Sequence, residues 1–398
     1  MKRVYITTAL SCLVMLAVFV GCFRFFRLTG RRDHIKIGFI YDNDESTAYT
    51  YNFSLAKDAV EKKYGDKAEI LTSSNVLDED MEEPLRAMAD NGCDIIFLNG
   101  YSDLVRQLAP EYPATQFCQT SYMDMNGQTV PENYHTFKGE AYQGRYVSGI
   151  AAGMKIKQLI SEGIISKEQA IVGFVAAFPT PEVISGYTAF ILGVRQVVPD
   201  AVIRVSYTGT WSSYALEKKY VKDMIDDGCV IISHHTDTIA PAVACEEANS
   251  RGLPVYYVGL NQSMFEVAPG SYLVTARLCW EPYILSAVEA VMTNRTIESV
   301  ISGNVHGTDA SAGFEHGWVE INDLNLQVAA PGTKEAMDKA IEKFKHGKVD
   351  FVYKGSYTGV DPENPSDTCD LSTGYIENKF TSYPTFHYIL SGVVTVMD

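Results

Sequence analysis

The stretch Arg204–Asp237, RVSYTGTWSSYALEKKYVKDMIDDGCVIISHHTD, predicts a strand, a helix and a second strand. Its first segment, within 201–207, is short and rich in β-branched residues, as buried strands are. Ser212 and Ser213 offer N-cap oxygens for a helix that ends near a glycine. The apolar run 230–233 follows as the second strand. Two strands joined by a helical crossover are expected to be parallel and buried.

The residues that follow these two strands indicate a ligand site. Trp211 follows the first strand, and the segment 234–237, His-His-Thr-Asp, follows the second. Ligands of open α/β sheets bind at the carboxyl ends of the strands. An aromatic face in one loop and polar groups in the next are suited to a flat ligand with a polar edge. We therefore expect Trp211 and Asp237 to contact a ligand, although Asp237 could instead cap the following helix.

The same alternation of strand and helix occurs in two consecutive series along the chain. Two doubly wound series predict an α/β protein with two lobes that face each other. We place the first lobe at 33–160 with part of 276–330. The second lobe is placed at 161–275 with about 331–354.

The chain changes character in its last segment, 355–398, which is rich in Tyr, Ser, Thr, Pro and Gly. Such a composition is typical of turns and loops. Within this C-terminal extension, Ile389–Val396 is an apolar run of mainly β-branched residues. The run predicts either an edge strand added to a lobe or a strand that binds a partner.

Other loops at predicted strand ends place an aromatic residue beside a small or amide-bearing one. The further candidate ligand residues are Asp42, Tyr49, Tyr51, Asn99, Phe178, Asn261 and Trp280. These side chains can stack on a ligand or bond its polar edge. No serine stands on a nucleophile elbow, and no pair of carboxylates is arranged for acid–base chemistry. We therefore expect a binding protein and not an enzyme. Any one of the 24 tyrosines could, however, belong to the core or the surface and not to a ligand site.

Charge and cysteine use exclude further classes of protein. The chain carries a net charge of −16 without a basic stripe in its main part, which argues against nucleic-acid binding. Its eight cysteines show no metal-ligand spacing. His234 and His235 are adjacent, and neighbouring side chains of an extended chain point to opposite faces. We therefore expect no metal ion and no cofactor.

The first 32 residues predict where the protein resides. They carry a charge of +6, so residues 33–398 carry −22. Val4–Phe23 is an apolar run between two arginines, as in a signal peptide or a single membrane span. The run approaches its end at Gly21-Cys22, which resembles the bacterial lipoprotein signal, with lipidation at Cys22. An uncleaved anchor is the alternative. Either reading predicts an extracytoplasmic domain anchored to the bacterial cell membrane.

Several segments resemble one known family. They are 141–153, AYQGRYVSGIAAG; 173–179, GFVAAFP; Thr210-Trp211; and 234–237, HHTD. They are similar to the basic membrane lipoprotein family, the purine nucleoside receptor-like substrate-binding proteins of ATP-binding-cassette (ABC) importers. The resemblance implies a type I periplasmic-binding-protein fold, with two Rossmann-like lobes and a ligand cleft between them. It also implies a small-molecule ligand and a permease partner.

The resemblance further implies roles for particular residues. An aromatic residue of the first lobe, Tyr49 or Tyr51, and Trp211 of the second lobe would sandwich a purine base. Phe178 would wall the cleft, and Asp237 and Asn261 would bond the polar edges of the ligand. Because Asn261 replaces an aspartate usual in the family, both a nucleoside and a free base stay open. A permanently anchored sensory or regulatory module that signals through lobe closure is the alternative to a transport receptor.

Overall fold

The structure, a computed structural model, describes residues 32–120 and 129–397. Nearly all of the predicted leader, with Val4–Phe23 and Cys22, lies outside the described residues. Within the described ranges, we find no helix with the length and apolarity needed to cross a bilayer.

Nine α-helices form within the described residues, and most connect parallel strands. They are α1 Ala48–Tyr64, α2 Glu82–Asp90, α3 Asp103–Leu108, α4 Ala141–Ser161, α5 Pro181–Arg195, α6 Tyr214–Asp226, α7 Ala240–Asn249, α8 Glu281–Met292 and α9 Thr333–Lys345.

The strands of the first sheet are β1 Ile35–Ile40, β2 Ala68–Ser73, β3 Ile95–Leu98, β4 Gln116–Gln119, β5 Tyr134–Gly139, β11 Asn304–His306 and β12 Asp309–Ala312. Those of the second sheet are β6 Ile171–Ala176, β7 Val202–Tyr207, β8 Ile231–His235, β9 Tyr256–Leu260, β10 Tyr272–Leu278, β13 Val319–Asn322 and β17 Val394–Val396. A small third sheet contains β14 Thr358–Val360, β15 Thr368–Asp370 and β16 Ile389–Leu390.

The two large sheets have seven strands each, in the orders β11-β12-β5-β4-β3-β1-β2 and β13-β10-β9-β8-β6-β7-β17. Pairing is parallel except where β11 meets β12 and β13 meets β10. Apolar side chains of the central strands are buried, so each sheet has a core on both faces. This arrangement confirms the predicted α/β fold.

The predicted strand–helix–strand unit around Trp211 is β7, α6 and β8. Both strands are parallel to β6, which lies between them. The predicted serine cap is wrong in detail, because the Ser213 side chain makes no capping hydrogen bond. Instead, the Glu217 carboxylate accepts the backbone N–H of Ser213 at 3.0 Å. A carboxylate that reaches back in this way satisfies the N–H of the N-cap residue, which is another of the donors left unpaired at the start of a helix.

Three chain crossovers connect the lobes and meet at Gly139. They join β5 to α4, β10 to α8 and β12 to β13. A Cβ on Gly139 would lie 2.7 Å from Leu278 Cδ2 and 3.0 Å from the Trp318 carbonyl oxygen. Only glycine allows such an approach between three backbone segments. After its crossover, α4 packs against α5 and β10, whereas α8 packs against α1.

The C-terminal extension packs on both lobes. Its last strand, β17, pairs with β7 at the edge of the second sheet. The backbone N–H of Ser382 donates to Asp309 Oδ2 in the first sheet at 2.7 Å. The edge-strand alternative is therefore confirmed for Val394–Val396, although a turn separates this strand from β16. The residue pattern of 350–353 predicts a short strand, but none forms there, and Tyr353 makes only an isolated bridge with Tyr375.

Candidate ligand-binding cleft

The loops at the carboxyl ends of the two large sheets touch each other and define a cleft. The backbone N–H of Ala48, at the start of α1, donates to the Asp237 carbonyl oxygen at 3.4 Å. The backbone N–H of Asp237 in turn donates to the carbonyl oxygen of Trp211 at 2.9 Å. The turn that carries Asp237 therefore joins the helix that carries Tyr49 to the loop that carries Trp211.

The Tyr49 side chain is held in the wall of the first lobe. Its hydroxyl lies 2.8 Å from Thr120 Oγ1, and Thr120 Oγ1 donates to the Asn99 carbonyl oxygen at 2.6 Å. Since the threonine proton is used there, Tyr49 is the donor to Thr120. The Tyr49 ring also lies edge-to-face against Trp280, with centroids 5.9 Å apart. Its position is fixed at two points, which pre-organises the ring.

Asn99 and Asp42 belong to the scaffold beneath Tyr49. Asn99 Oδ1 accepts the Asp42 backbone N–H at 2.9 Å, and Asn99 Nδ2 donates to Thr50 Oγ1 at 3.1 Å. Thr50 Oγ1 donates to Asp42 Oδ1 at 3.2 Å. These bonds tie together the ends of β1, β3 and α1. The second carboxylate oxygen of Asp42 accepts no hydrogen bond from the described residues, whereas the carboxamide of Asn99 is engaged on both sides.

Tyr51 and Trp280, the other aromatic candidates near Tyr49, lie in different surroundings. Tyr51 is 38% exposed on α1. Trp280 is buried against Tyr49, Phe53 and Phe137, and its indole N–H has no partner in the described part of the chain. The rings of Tyr49 and Trp280 are therefore in contact, whereas the Tyr51 side chain is exposed on α1.

The opposite wall is aromatic and open. Trp211 is 40% exposed, and its ring lies edge-to-face with Phe178 at 5.5 Å and with His235 at 6.0 Å. Edge contacts orient an indole and leave its broad face available for stacking. Phe178 follows β6, and Trp211 follows β7. The structure places these two predicted ligand residues in contact with each other.

Asp237 is a carboxyl group of the cleft whose acidity is strongly altered. Burial, together with the negative charges of Asp42, Glu217 and Glu182, raises the pKa of Asp237 to about 8. Its carboxyl group has no hydrogen-bond partner among the described residues, and the N-cap of α7 is Ile239. The helix-cap alternative is therefore wrong. A desolvated carboxyl group without a partner favours a ligand that supplies a hydrogen bond.

A buried ion pair, which the sequence analysis missed, crosses the cleft. Lys138 Nζ at the end of β5 lies 2.7 Å from Glu182 Oε2 in the first turn of α5, and both side chains are largely buried. His235 Nε2 lies 3.9 Å from the other oxygen of Glu182. Burial, reinforced by the charges of Arg145 and Lys138, lowers the pKa of His235 well below its usual range, so this imidazole is neutral. Lys138 is therefore the cation that balances Glu182.

The side chains of His234 and His235 point to opposite faces of β8, as predicted. His234 Nε2 lies 2.7 Å from the Tyr257 hydroxyl, away from the cleft. Beneath the strand, the guanidinium of Arg145 donates to the His234 carbonyl oxygen at 2.7 Å. Arg145 belongs to the family-like segment 141–153, whose sequence does not indicate this role. The structure shows that it supports β8 at the base of the site.

Asn261 has a backbone role at the crossover from β10. It adopts a left-handed conformation with φ of 63°, and its Oδ1 accepts the Leu278 backbone N–H at 3.4 Å. Its Nδ2 makes no hydrogen bond within the described residues and is the atom that a ligand could use.

A separate groove of about 680 Å³ lies at the opposite edge of the first sheet. Its lining includes Arg32, Asp94, His135 and Glu298, and none of the predicted ligand residues. The candidate site is the cleft, because strand-end residues of both lobes meet there in the part of the chain that the structure describes.

Comparison with known proteins assigns the chain to a family. The PnrA-like ABC transporter substrate-binding proteins match residues 37–352. A purine-binding protein of Brucella abortus is 29% identical over 65% of this chain and 69% of its own length. A Haloferax volcanii protein named for ABC transporter glucose binding is 29% identical over 77% of this chain and 71% of its own.

A solved structure supports the fold. The ABC transporter solute-binding protein of Aeropyrum pernix K1 has a TM-score of 0.63 at 15% identity, covering 83% of this chain and 95% of its own. The type I periplasmic-binding-protein fold and the resemblance seen in the sequence are both confirmed. The two sheets, the cleft and the match to most of its length show that this chain belongs to the family of PnrA-like ABC transporter substrate-binding proteins.

Proposed function

We propose that this protein captures a purine nucleoside or nucleobase in the cleft and delivers it to an ABC permease. The observation that carries the proposal is the joining of Tyr49 and Trp211 through the turn at Asp237. The segments that carry one aromatic residue from each lobe therefore meet at this turn, and the carboxyl group of Asp237 has no hydrogen-bond partner among the described residues. A purine offers two aromatic faces and N–H donors on its edge, so it matches this arrangement.

The electrostatics of the cleft favour a neutral ligand. Asp42, Asp237 and Glu182 face the region, and Lys138 is already paired with Glu182. An anionic ligand such as a nucleotide would meet the negative charge of Asp42 and would find Lys138 already paired, which costs free energy in a desolvated site. A base or nucleoside has no such charge.

A sugar is the competing ligand, because one relative is named for glucose binding. The exposed face of Trp211 and the Asp237 carboxyl group could also hold a sugar ring. The two broad aromatic groups favour the purine, since a purine can use both faces for stacking, worth about 1–3 kcal/mol per base at each aromatic side chain.

A thermal-shift and calorimetric screen tests the proposal. The full chain, purified in detergent, is titrated with guanosine, inosine, adenine, hypoxanthine and glucose. We expect one purine compound to bind at 1:1 stoichiometry and to stabilise the fold by about 2.7 kcal/mol at a hundredfold excess over Kd. Binding of glucose with no response to any purine would contradict the proposal.

We also propose that the domain is tethered to the membrane near residue 22. Substrate-binding proteins of ABC importers are extracytoplasmic, and the +6 leader with its apolar run fits an export signal. Mass spectrometry of the native protein is expected to show either a diacylglyceryl group on Cys22 or an intact Met1. Recovery of the native protein from the cytosol would overturn the tether.

A further inference from the structure

Three potential metal ligands meet at one end of the small third sheet, far along the chain from the predicted ligand residues. In this sheet β14 pairs antiparallel with both β15 and β16. Val360, the last residue of β14, stands opposite Thr368 at the start of β15 and Ile389 at the start of β16. The residue after β14 and the residues before the other two strands must therefore lie together. These residues include Asp361, Asp367 and His387.

The ligand atoms of these three side chains all lie within 4.8 Å of one another. His387 Nε2 is 3.8 Å from Asp361 Oδ2. Zinc bonds of about 2.0–2.1 Å at tetrahedral angles separate neighbouring ligand atoms by roughly 3.3 Å. Small rotations of partly exposed side chains would bring the atoms to this spacing.

Contacts outside the cluster orient two of the ligands. His387 Nδ1 lies 2.8 Å from the Thr385 carbonyl oxygen, which can only accept, so Nδ1 carries a proton. In the neutral imidazole, Nε2 therefore presents its lone pair to the Asp361 carboxylate. Asp361 Oδ1 accepts the Glu363 backbone N–H at 2.8 Å, which leaves Oδ2 directed at the histidine. A cation between them would satisfy two acceptors that face each other, and the N–H to carbonyl bond is the usual outer support of a metal-bound histidine.

We propose that Asp361, Asp367 and His387 bind a divalent transition-metal ion of the zinc type. An imidazole nitrogen with two carboxylate oxygens suits Zn²⁺ or a similar ion, whereas Ca²⁺ and Mg²⁺ take oxygen ligands. Three protein ligands leave the remaining positions to water. The ion would join the ends of three strands and so stabilise the extension, independently of the ligand in the cleft.

Metal titration of the full chain tests this site. The protein, without a histidine tag, is stripped with a chelator and titrated with Zn²⁺, and separately with Ca²⁺, at pH 7.5. We expect one Zn²⁺ per chain and weaker binding of Ca²⁺. His387→Gln, Asp361→Asn and Asp367→Asn should each weaken Zn²⁺ binding at least about tenfold. Asp370→Asn and His346→Gln change the same residue types outside the cluster and should leave it unchanged.

The competing explanation is an ion pair of Asp361 with a protonated His387, and the experiment separates the two. In that case Zn²⁺ binding is absent or is insensitive to the three substitutions, and either result overturns the site. Anomalous diffraction at the zinc edge from crystals of the unmodified protein gives a readout that does not depend on the folding of a variant. A peak between these three side chains is expected, and no peak there contradicts the proposal.

Discussion

Trp211 is the residue whose removal we expect to weaken ligand binding most. Its indole face is exposed in the cleft and its edge is fixed by Phe178 and His235. Loss of stacking worth about 1–3 kcal/mol would weaken binding roughly ten- to a hundredfold in Trp211→Ala. Trp211→Phe should keep most of the affinity because a stacking plane remains. Isothermal titration calorimetry gives the values.

The control for Trp211 is Tyr214→Ala, which removes an exposed aromatic ring at the start of α6. That variant should bind as the wild type does. Unchanged affinity in Trp211→Ala would place the base elsewhere in the cleft, with Tyr49, Tyr51, Phe178 and Trp280 as the remaining candidates.

Asp237 should make ligand affinity depend on pH. Its pKa of about 8 means that most of the carboxyl groups are protonated at pH 6–7 in the empty cleft. A purine N–H bonds more strongly to the ionised carboxylate than to the protonated group, so affinity should rise by at most about tenfold per pH unit from pH 6 and level off above pH 8. Binding should release a proton, which calorimetry in buffers of different ionisation enthalpy detects. A flat profile in the wild-type protein would contradict an N–H bond to the ionised carboxylate of Asp237.

The Asp237 carboxyl group should also make the stability of the empty protein depend on pH. Stability should fall as pH rises, whereas ligand affinity should increase. The folded pKa of Asp237 lies above the unfolded value of about 4, so the unfolded chain loses this proton first as pH rises. The free energy of unfolding should therefore fall from about pH 4 to pH 8, and Glu140 and Glu377, whose pKa values burial also raises, add to this trend. Asp237→Asn should reduce the slope and flatten the pH dependence of ligand affinity.

At the scale of elements, the crossing of α4 and α5 depends on two glycines. A Cβ on Gly149 would clash with the Phe190 carbonyl oxygen, and one on Gly193 with that of Tyr146. The backbones of the two helices therefore approach each other closely at these glycines. Gly149→Ala should lower the free energy of unfolding by about 3 kcal/mol or more, measured by chemical denaturation.

Gly186→Ala is the matched control on α5. Its added Cβ would meet no atom closer than 3.4 Å, so the alanine should be neutral or slightly stabilising. Equal losses in the two variants would indicate a general intolerance of the helices and not a specific close contact.

The C-terminal extension should contribute strongly to stability because it carries part of the hydrophobic core. Phe386 is fully buried and stacks on Tyr353 at 4.7 Å, whereas Phe380 is 76% exposed. Phe386→Ala should cost about 3–5 kcal/mol of unfolding free energy, and Phe380→Ala about 0.5 kcal/mol or less. Similar values for the two variants would mean that the extension does not pack as described.

At the scale of the whole molecule, the pair of Lys138 and Glu182 should favour contact between the lobes. Each charge belongs to a different lobe, so opening of the cleft separates them and each must then be hydrated. Glu182→Gln leaves Lys138 without its partner in the closed form. We expect roughly tenfold weaker ligand affinity, and less compaction on ligand binding in small-angle X-ray scattering.

A double-mutant cycle isolates this effect. Lys138→Gln with Glu182→Gln should recover part of the affinity lost in each single variant, because two neutral amides leave no unpaired charge. Lys334→Gln breaks an exposed pair with Asp338 and should change nothing. Additive losses in the double variant would show that the two charges act independently.

The sequence by itself determined the parts of this protein that depend on local pattern. Short β-branched runs and amphipathic stretches predicted the alternation of strand and helix, since periodicity reflects which face is buried. The strand ends then identified Trp211, Phe178 and Asp237 as neighbours, because parallel strands bring their carboxyl ends to one edge. Fold class followed from the same pattern and from the family motifs.

The tertiary structure alone decided features that join distant parts of the chain. Lys138 carries no local signal, and only the approach of β5 to α5 pairs it with Glu182. The pKa of Asp237 is likewise raised by burial and by carboxylates from three other segments. In the extension, Asp361 and His387 have no metal-ligand spacing, and antiparallel pairing on both sides of β14 brings them together. Such contacts follow from strand order and register, which the spacing of residues in the chain does not encode.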